Sequence, residues 1–172
     1  MATERAGAAT FQGNGLTLVG DEVKVGDAAP DFSVLGDDLS AVTLADYAGK
    51  VKVICLVPSL DTPVCDTEIR RFNQEAAGLG DNVAVLAVST DLPFAQKRWC
   101  GDAGADDVTA LSDHRDTSLG VAYGAVIKEL RLLSRAVFVI DASNTVRYAE
   151  YVTEITEEPD YNAALAAARA AV

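Results

Sequence analysis

The sequence predicts an α/β fold in which helices flank both faces of a central mixed sheet, with a β-hairpin at the N-terminus. Two valine-rich apolar runs, Val51 to Val57 and Val83 to Ser89, have the length and composition of buried strands. Between them, apolar residues recur from Ile69 to Leu79 at steps of three and four, which is the period of one helix face. A strand, a helix and a second strand in this order are typical of α/β proteins.

The first segment predicts a hairpin over about residues 10 to 25. Polar and apolar residues alternate there around Gly13-Asn14-Gly15 and again around Gly20-Asp21. Glycine and asparagine adopt the positive φ angles that tight hairpin turns require. We therefore expect short paired strands before the central sheet begins.

The helix after the first central strand is predicted to begin beside a cysteine. Thr62 is a favoured N-cap residue and Pro63 is favoured at the first helical position, so Cys65 falls in the first turn. Backbone N–H groups at a helix N-terminus favour negative charge, and the thiolate is the nucleophilic form of cysteine. In an α/β sheet, this position also lies at the carboxyl end of a strand, where ligands bind. We therefore expect a reactive thiol here.

A second helix is predicted after the strand that ends at Ser89. Asp91 is expected to cap it, Pro93 to lie in its first turn, and Cys100-Gly101 to mark its end. A polar loop is expected over Asp102 to Asp107, followed later by a short helix around Ser118 to Tyr123. Cys100 is thus expected near a helix terminus.

The last third of the chain predicts a strand pair and a closing helix. The strands Ala136 to Ile140 and Val146 to Val152 are joined by the turn-forming residues Asp141 to Asn144. Acidic residues and a proline in Glu157 to Asp160 favour the start of an alanine-rich helix. Since no repeat or linker interrupts the chain, we expect residues 1–172 to form one domain.

The charge balance bears on the partners of the protein. The 172 residues include 14 lysines and arginines against 26 acidic residues, which gives a net charge of −12. Such a chain lacks the basic surface that binds nucleic acid or anionic lipid. The first residues lack the apolar core of a secretory signal, and no apolar run is long enough to span a bilayer. We expect a cytoplasmic protein with neither nucleic-acid nor membrane partners.

Three cysteines and one histidine define the possible thiol and metal chemistry. Cys55, Cys65 and Cys100 are widely spaced and His114 stands alone, which is not a zinc pattern, and we expect no metal or other cofactor. In a reducing cytoplasm these residues are buried thiols, a catalytic thiol or partners in a transient disulfide. Cys55 lies within an apolar strand and is expected to be structural. His114, flanked by charged residues, is expected at the surface.

The sequence around Cys65 resembles a known family. Pro58, Thr62 and Cys65 match the P-x-x-x-T-x-x-C signature of peroxiredoxins, and Pro58 to Gln74 resembles the thiol peroxidase branch, the atypical 2-Cys peroxiredoxins. The same branch is resembled by Phe11 to Gly13, Asp91 to Gly101, Arg135 to Asp141 and Glu158 to Tyr161. The likeness covers nearly the whole chain, and it implies a thioredoxin-like fold with an N-terminal hairpin, commonly in a homodimer.

The resemblance assigns a role to each residue around the reactive thiol. Cys65 is then the peroxidatic cysteine, whose thiolate attacks hydrogen peroxide or an organic hydroperoxide and becomes a sulfenic acid. Thr62 offers its hydroxyl, the N–H groups of Val64 and Cys65 face the developing charge, and Arg135 supplies a fixed cation. Pro58 shields and shapes the pocket.

The resemblance also implies how the sulfenic acid is resolved. Cys100 is then the resolving cysteine, which condenses with Cys65 to form an intrachain disulfide that thioredoxin reduces. The two cysteines are predicted on different helices. A Cα separation above about 7 Å requires local unfolding of one or both helix ends before a disulfide can form.

Two other functions remain open at this level. One is a thioredoxin-like module that binds partners or senses redox state without efficient turnover. The other is a cysteine hydrolase built on Cys65 and His114. The joint presence of Thr62, Cys65 and Arg135 favours the peroxidase.

Overall fold

The computed structural model describes residues 1–172 and contains two β-sheets with helices packed around the larger one. The strands are β1 (Glu4–Phe11), β2 (Asn14–Val19), β3 (Ser33–Leu35), β4 (Ala41–Thr43), β5 (Val51–Leu56), β6 (Val83–Ser89), β7 (Thr109–Ser112), β8 (Val126–Ile127), β9 (Leu132–Leu133), β10 (Ala136–Ile140) and β11 (Val146–Tyr151). The α-helices are α1 (Pro63–Ala76), α2 (Pro93–Ala103), α3 (Ser118–Ala122) and α4 (Tyr161–Ala170). Short 3-10 helices cover Leu44–Tyr47 and Ala77–Leu79.

The central sheet is mixed, as the sequence predicts. Its strand order is β11-β10-β5-β6-β7-β3-β4; β5, β6 and β7 are parallel, and β10 and β11 form the predicted hairpin. Every residue of β5 is buried because both faces of the sheet are covered. Val53 and Cys55 pack in the cluster that includes α1 and α4, whereas Ile54 and Leu56 pack in the cluster that includes α3. The α1 helix therefore starts close to the carboxyl end of β5.

The N-terminal hairpin is present, but the predicted bounds of residues 10 to 25 are wrong. It runs from Glu4 to Val19, and it turns at Gln12 and Gly13, whose φ angles are 50° and 81°. The first strand contains several small residues of low strand propensity, which conceal it in the sequence. The second strand ends at Val19 and is followed by Gly20, where φ is 107°. The hairpin forms a separate four-stranded sheet with the short strands β8 and β9, in the order β1-β2-β8-β9.

Two helix boundaries differ from the prediction. The α2 helix has Leu92 rather than Asp91 as its N-cap, and it continues past Gly101 until Gly104 adopts the left-handed conformation. The α4 helix begins only at Tyr161, and the carboxylate of Asp160 caps it by accepting a hydrogen bond from the N–H of Ala163. The four short strands β3, β4, β8 and β9, together with β7, were not predicted, because short segments carry little periodicity. No helix has both the length and the apolar character needed to cross a bilayer.

Candidate active site

The start of α1 places the hydroxyl of Thr62 against the sulfur of Cys65. Thr62 is the N-cap residue and Pro63 takes the first helical position, as predicted. The side chain of Thr62 does not cap the helix, however. Thr62 Oγ1 lies 2.7 Å from Cys65 Sγ and 2.9 Å from the carbonyl oxygen of Ser59. The N–H groups of Val64 and Cys65 belong to the first turn, where an α-helix offers them no internal partner. This corner therefore presents several donors around one sulfur.

Arg135 approaches the same sulfur from the neighbouring strand. It immediately precedes β10, whose Ala136 pairs with Leu56 at the end of β5. Its Nη2 lies 3.2 Å from Cys65 Sγ, and the carbonyl oxygen of Ile155 accepts hydrogen bonds from Nε at 3.0 Å and Nη2 at 2.9 Å. Arg135 is only 1% exposed, so it is not a charged residue at a strand edge. Little solvent screens the attraction between its charge and a thiolate.

Glu68 completes this buried cluster, and the sequence analysis missed it. Its carboxylate pairs with Nη1 of Arg135 and is completely buried, while Oε1 has no hydrogen-bond partner. Burial raises the pKa of Glu68 to about 7, although the charge of Arg135 opposes the shift. Glu68 follows Cys65 by three positions and so shares its helix face, which is the signal that could have revealed it. Arg135 is therefore shared between a sulfur and a carboxylate.

Asp91 fixes the loop that carries the motif, instead of capping α2. Its carboxylate accepts hydrogen bonds from Ser59 Oγ at 2.7 Å, from the N–H of Leu60 at 2.8 Å and from Ser89 Oγ at 2.7 Å. Asp91 lies just after β6, which is the parallel neighbour of β5. Loops that follow adjacent parallel strands meet at one sheet edge, so the side chain reaches the motif loop rather than its own helix.

A cavity of about 390 Å³ opens beside the buried sulfur. Four residues that the sequence analysis singled out line it: Pro58, Thr62, Val64 and Arg135. The other lining residues are Phe11, Pro63, Leu130, Leu132, Ile155 and Thr156. The side chains of this set are mainly apolar, and Cys65 itself is fully buried next to them. An apolar group attached to a small polar head would fit such a space.

The other two cysteines have different environments. Cys55 is completely buried in β5, and burial holds the pKa of its thiol well above the ordinary value. Cys100 lies in the last turn of α2 and is half-buried, and burial, with smaller contributions from Asp106 and Asp37, raises the pKa of its thiol. All three cysteines are free thiols in the structure.

A hydrogen bond joins the two helices that carry Cys65 and Cys100. The indole Nε1 of Trp99 donates to Asp66 Oδ1 at 2.9 Å. Arg70, which also lies on α1, places its guanidinium 5.5 Å from the centre of the indole ring. The residues adjacent in sequence to the two cysteines are thus in direct contact.

His114, the base that a cysteine hydrolase would need, lies away from Cys65. His114 is exposed in the loop after β7, whereas the hydrogen-bond partners of Cys65 Sγ are Thr62 and Arg135. A cysteine hydrolase requires a base within hydrogen-bond reach of the sulfur. The site therefore lacks the imidazole that this alternative needs.

Comparison with known proteins assigns the chain to a family. A family model described as Redoxin matches residues 24–165. A thiol peroxidase from Halalkalibacterium halodurans is 62% identical over 163 residues, covering 95% of this chain and 98% of that protein. The chain belongs to the thiol peroxidases of the peroxiredoxin family. A thiol peroxidase from Bacillus subtilis is 59% identical over 163 residues, covering 95% of this peroxiredoxin and 97% of its relative.

Solved structures confirm the predicted thioredoxin-like peroxiredoxin fold. A peroxiredoxin-like protein from Aquifex aeolicus superposes with a TM-score of 0.90 at 42% identity, covering 99% of both chains. A thiol peroxidase from Chromobacterium violaceum gives a TM-score of 0.81 at 22% identity, covering 90% of this peroxiredoxin and 91% of that chain, and its likeness bears on the fold alone.

Proposed function

We propose that this chain, a thiol-dependent peroxidase of the peroxiredoxin type, reduces hydrogen peroxide and organic hydroperoxides through the sulfur of Cys65. The observation that carries the proposal is the position of Sγ between the hydroxyl of Thr62 and the guanidinium of Arg135, beside an apolar cavity. A thiolate held by two such donors is stabilised without losing its nucleophilic lone pairs.

The first chemical step transfers one oxygen atom to the sulfur. The Cys65 thiolate attacks the terminal oxygen of ROOH, an S–O bond forms and the O–O bond breaks. The products are a sulfenic acid and RO⁻, which takes up a proton to become an alcohol or water. Arg135, the Thr62 hydroxyl and the N–H groups of Val64 and Cys65 are assigned to stabilise the negative charge as it moves. Pro58, which is buried in the pocket wall, is assigned to keep water away from the sulfur.

The lining of the cavity supports organic hydroperoxides as substrates. Val64, Leu130, Leu132 and Ile155 present apolar surface beside the polar groups that would receive the peroxide. An alkyl or aryl group buried against them contributes free energy of binding in proportion to its area, about 25 cal/mol per Å². Hydrogen peroxide gains nothing from this surface and is expected to bind more weakly.

Cys100 is assigned as the resolving cysteine. Its thiol condenses with the sulfenic acid of Cys65, and water leaves as the disulfide forms. Cys100 lies in the final turn of α2 and Cys65 in the first turn of α1, and helix ends are the parts of a helix that open most readily. Thioredoxin is the proposed reductant of the resulting disulfide, and no metal, haem or flavin takes part.

The decisive experiment is peroxide consumption in the presence of thioredoxin, thioredoxin reductase and NADPH. Cys65→Ser should abolish turnover, whereas Cys100→Ser should consume about one equivalent of peroxide and then stall. Cys55→Ser is the matched control and should retain multiple turnover, because Cys55 has no assigned role. Normal turnover by Cys65→Ser would refute the proposal. Unreacted Cys65 at micromolar peroxide, together with a protein bound at this corner, would favour the non-catalytic module.

The setting in which this chemistry operates is also a proposal. We propose that residues 1–172 act as one domain, in the cytoplasm, and as a homodimer. The exposed side chains of Leu92 and Phe94, at the start of α2, support self-association because they present neighbouring apolar surface to solvent. Sedimentation velocity of the wild type and of Phe94→Glu tests the dimer: a monomeric wild type contradicts it.

A further inference from the structure

The carboxylate of Glu154, in the loop between β11 and α4, binds the tip of the N-terminal hairpin. Oε1 accepts hydrogen bonds from the N–H of Gln12 at 3.0 Å and from Thr156 Oγ1 at 2.8 Å. Oε2 accepts from the N–H of Gly13 at 3.0 Å and from Thr10 Oγ1 at 2.8 Å. One side chain thus joins the hairpin turn to the loop that leads into α4.

The hairpin turn is shaped to receive an anion. Gln12 and Gly13 both have positive φ angles, and consecutive N–H groups in such a turn point toward a common acceptor. A non-glycine residue with positive φ is uncommon, so Gln12 needs support from its surroundings. The N–H of Gly13, followed by the hydroxyls of Thr10 and Thr156 and the N–H of Gln12, lowers the pKa of Glu154 to about 2. The carboxylate therefore stays charged at neutral pH.

Thr156, which Glu154 contacts, and two sequence neighbours of this contact, Phe11 and Ile155, line the cavity beside Cys65. Phe11 precedes the turn on the hairpin side, and Ile155 and Thr156 follow Glu154 on the loop side; all three line the cavity. Phe11 is 41% exposed, so its ring is not held by core packing. Backbone hydrogen bonds between Thr10 and residues 153 and 155 hold the base of this contact but do not reach the turn. The carboxylate therefore adds, at the turn itself, a second attachment of the outer wall to the hairpin.

We infer that Glu154 is a positioning residue for the substrate pocket: it holds Phe11 at the cavity and thereby sets the preference for bulky over small hydroperoxides. The inference rests on the proposed peroxidase function. Hydrogen peroxide carries no alkyl or aryl group to pack against Phe11, so its reaction should not depend on this wall. The Ile155 carbonyl that receives Arg135 is held separately by the backbone bond from Ile155 to Thr10, so the centre that reacts does not depend on Glu154.

The test compares cumene hydroperoxide with hydrogen peroxide in wild type and Glu154→Gln. Glutamine keeps the shape of the side chain, but its NH₂ group is a donor. It replaces a carboxylate oxygen that accepted hydrogen bonds, so two donors then face each other. We expect kcat/KM for cumene hydroperoxide to fall about tenfold through a rise in KM, and kcat/KM for hydrogen peroxide to change less than about threefold. Phe11→Ala should reproduce the same change in the ratio of the two substrates.

The matched control is Asp141→Asn. Asp141 also fixes a turn through two backbone N–H groups, those of Ser143 and Thr145, but it lies at the far end of β10 from Arg135. Asp141→Asn should leave the ratio of kcat/KM for cumene hydroperoxide to kcat/KM for hydrogen peroxide unchanged. If Glu154→Gln folds poorly, Thr10→Val removes one donor and should shift the ratio in the same direction by a smaller factor.

The outcomes separate the inference from the function on which it rests. An unchanged ratio in Glu154→Gln or Thr10→Val, an equal loss for both substrates, or an equal change in Asp141→Asn would overturn the role of Glu154. Wild type that consumes neither peroxide would instead overturn the proposed function.

Discussion

Arg135 Nη2 lies 3.2 Å from Cys65 Sγ although the two residues are 70 positions apart in the chain. The same guanidinium pairs with Glu68, so one buried cation serves a sulfur and a carboxylate. A single charge that is not screened by water is worth more to a thiolate than several exposed ones. The reactivity of Cys65 should therefore depend on the geometry of Arg135 as well as on its charge.

Arg135→Lys tests that dependence. Lysine keeps the charge but cannot contact Cys65, Glu68 and the carbonyl of Ile155 from one planar group. We expect the second-order rate constant of Cys65 with hydrogen peroxide, measured by stopped flow, to fall about 10²- to 10³-fold. Arg147→Lys, at an ion pair in which the arginine is exposed and Asp141 is buried, is the control and should react at the wild-type rate. A loss below about fivefold in Arg135→Lys would show that charge alone suffices.

Glu68 should make the stability of the reduced protein depend on pH. Its pKa is raised by burial to about 7 in the folded chain, from 4.5 in an unperturbed glutamate. Between these values the folded protein binds more protons than the unfolded one, so the free energy of unfolding falls as the pH rises from about 4.5 to 7. Glu68→Gln should flatten this decline, as followed by urea denaturation under reducing conditions at several pH values.

Part of the pH slope should survive in Glu68→Gln. Asp113 is also buried, which raises its pKa to about 6, so its contribution has the same sign at lower pH. Glu75→Gln, at a partly exposed side chain of α1, is the control and should keep the whole slope. A wild-type slope in Glu68→Gln would contradict the assignment.

Asp91→Ala should loosen the motif loop. The substitution leaves Ser59 Oγ, the N–H of Leu60 and Ser89 Oγ without their common acceptor. We expect the free energy of unfolding to fall by about 1–3 kcal/mol and the rate of peroxide reduction to fall with it, because Thr62 is carried by this loop. Asp37→Ala, at an exposed ion pair with Lys97, should change neither quantity. Normal peroxide reduction by Asp91→Ala would show that the loop holds its shape without this anchor.

Trp99→Phe should accelerate disulfide formation. It removes the hydrogen bond from the indole to Asp66, which opposes the separation of α1 and α2. A lost bond to a charged acceptor of about 1.5 kcal/mol corresponds to a roughly tenfold easier opening. The rate is measured by adding one equivalent of peroxide, quenching with an alkylating reagent at successive times, and determining the fraction of disulfide-bonded protein by mass spectrometry. An unchanged rate would mean that the helix ends open without breaking this contact.

The sequence was sufficient for the elements whose signals are local. The apolar runs that became β5 and β6, the helical period from Ile69 to Leu79, and the Thr62-Pro63 start of α1 all depend on residues close together in the chain. The hairpin of β10 and β11 was equally clear because its turn residues separate two apolar runs. These local signals alone place Cys65 at the start of a helix, near the carboxyl end of β5, without any knowledge of long-range contacts.

The rest could not be predicted because it depends on residues brought together by folding. Asp91 has the sequence context of a helix cap, but its carboxylate instead accepts hydrogen bonds from Ser59 and Leu60 in the adjacent loop after β5. In the sequence, Glu68 is indistinguishable from an exposed acidic residue of a helix. Only the fold reveals that it is buried and paired with Arg135. The roles of Glu154 and the hairpin tip require a contact between residues more than 140 positions apart.

Trp99 is the only tryptophan of the chain. Its indole donates a hydrogen bond to Asp66, the residue after Cys65, and Trp99 itself immediately precedes Cys100. Opening of either helix end breaks that bond and brings water to the indole. The tryptophan fluorescence of the unlabelled protein therefore arises from one known residue, at the contact between the helices that carry the two cysteines. The proposed opening of these helix ends during disulfide formation can thus be followed optically, with no dye and no engineered probe.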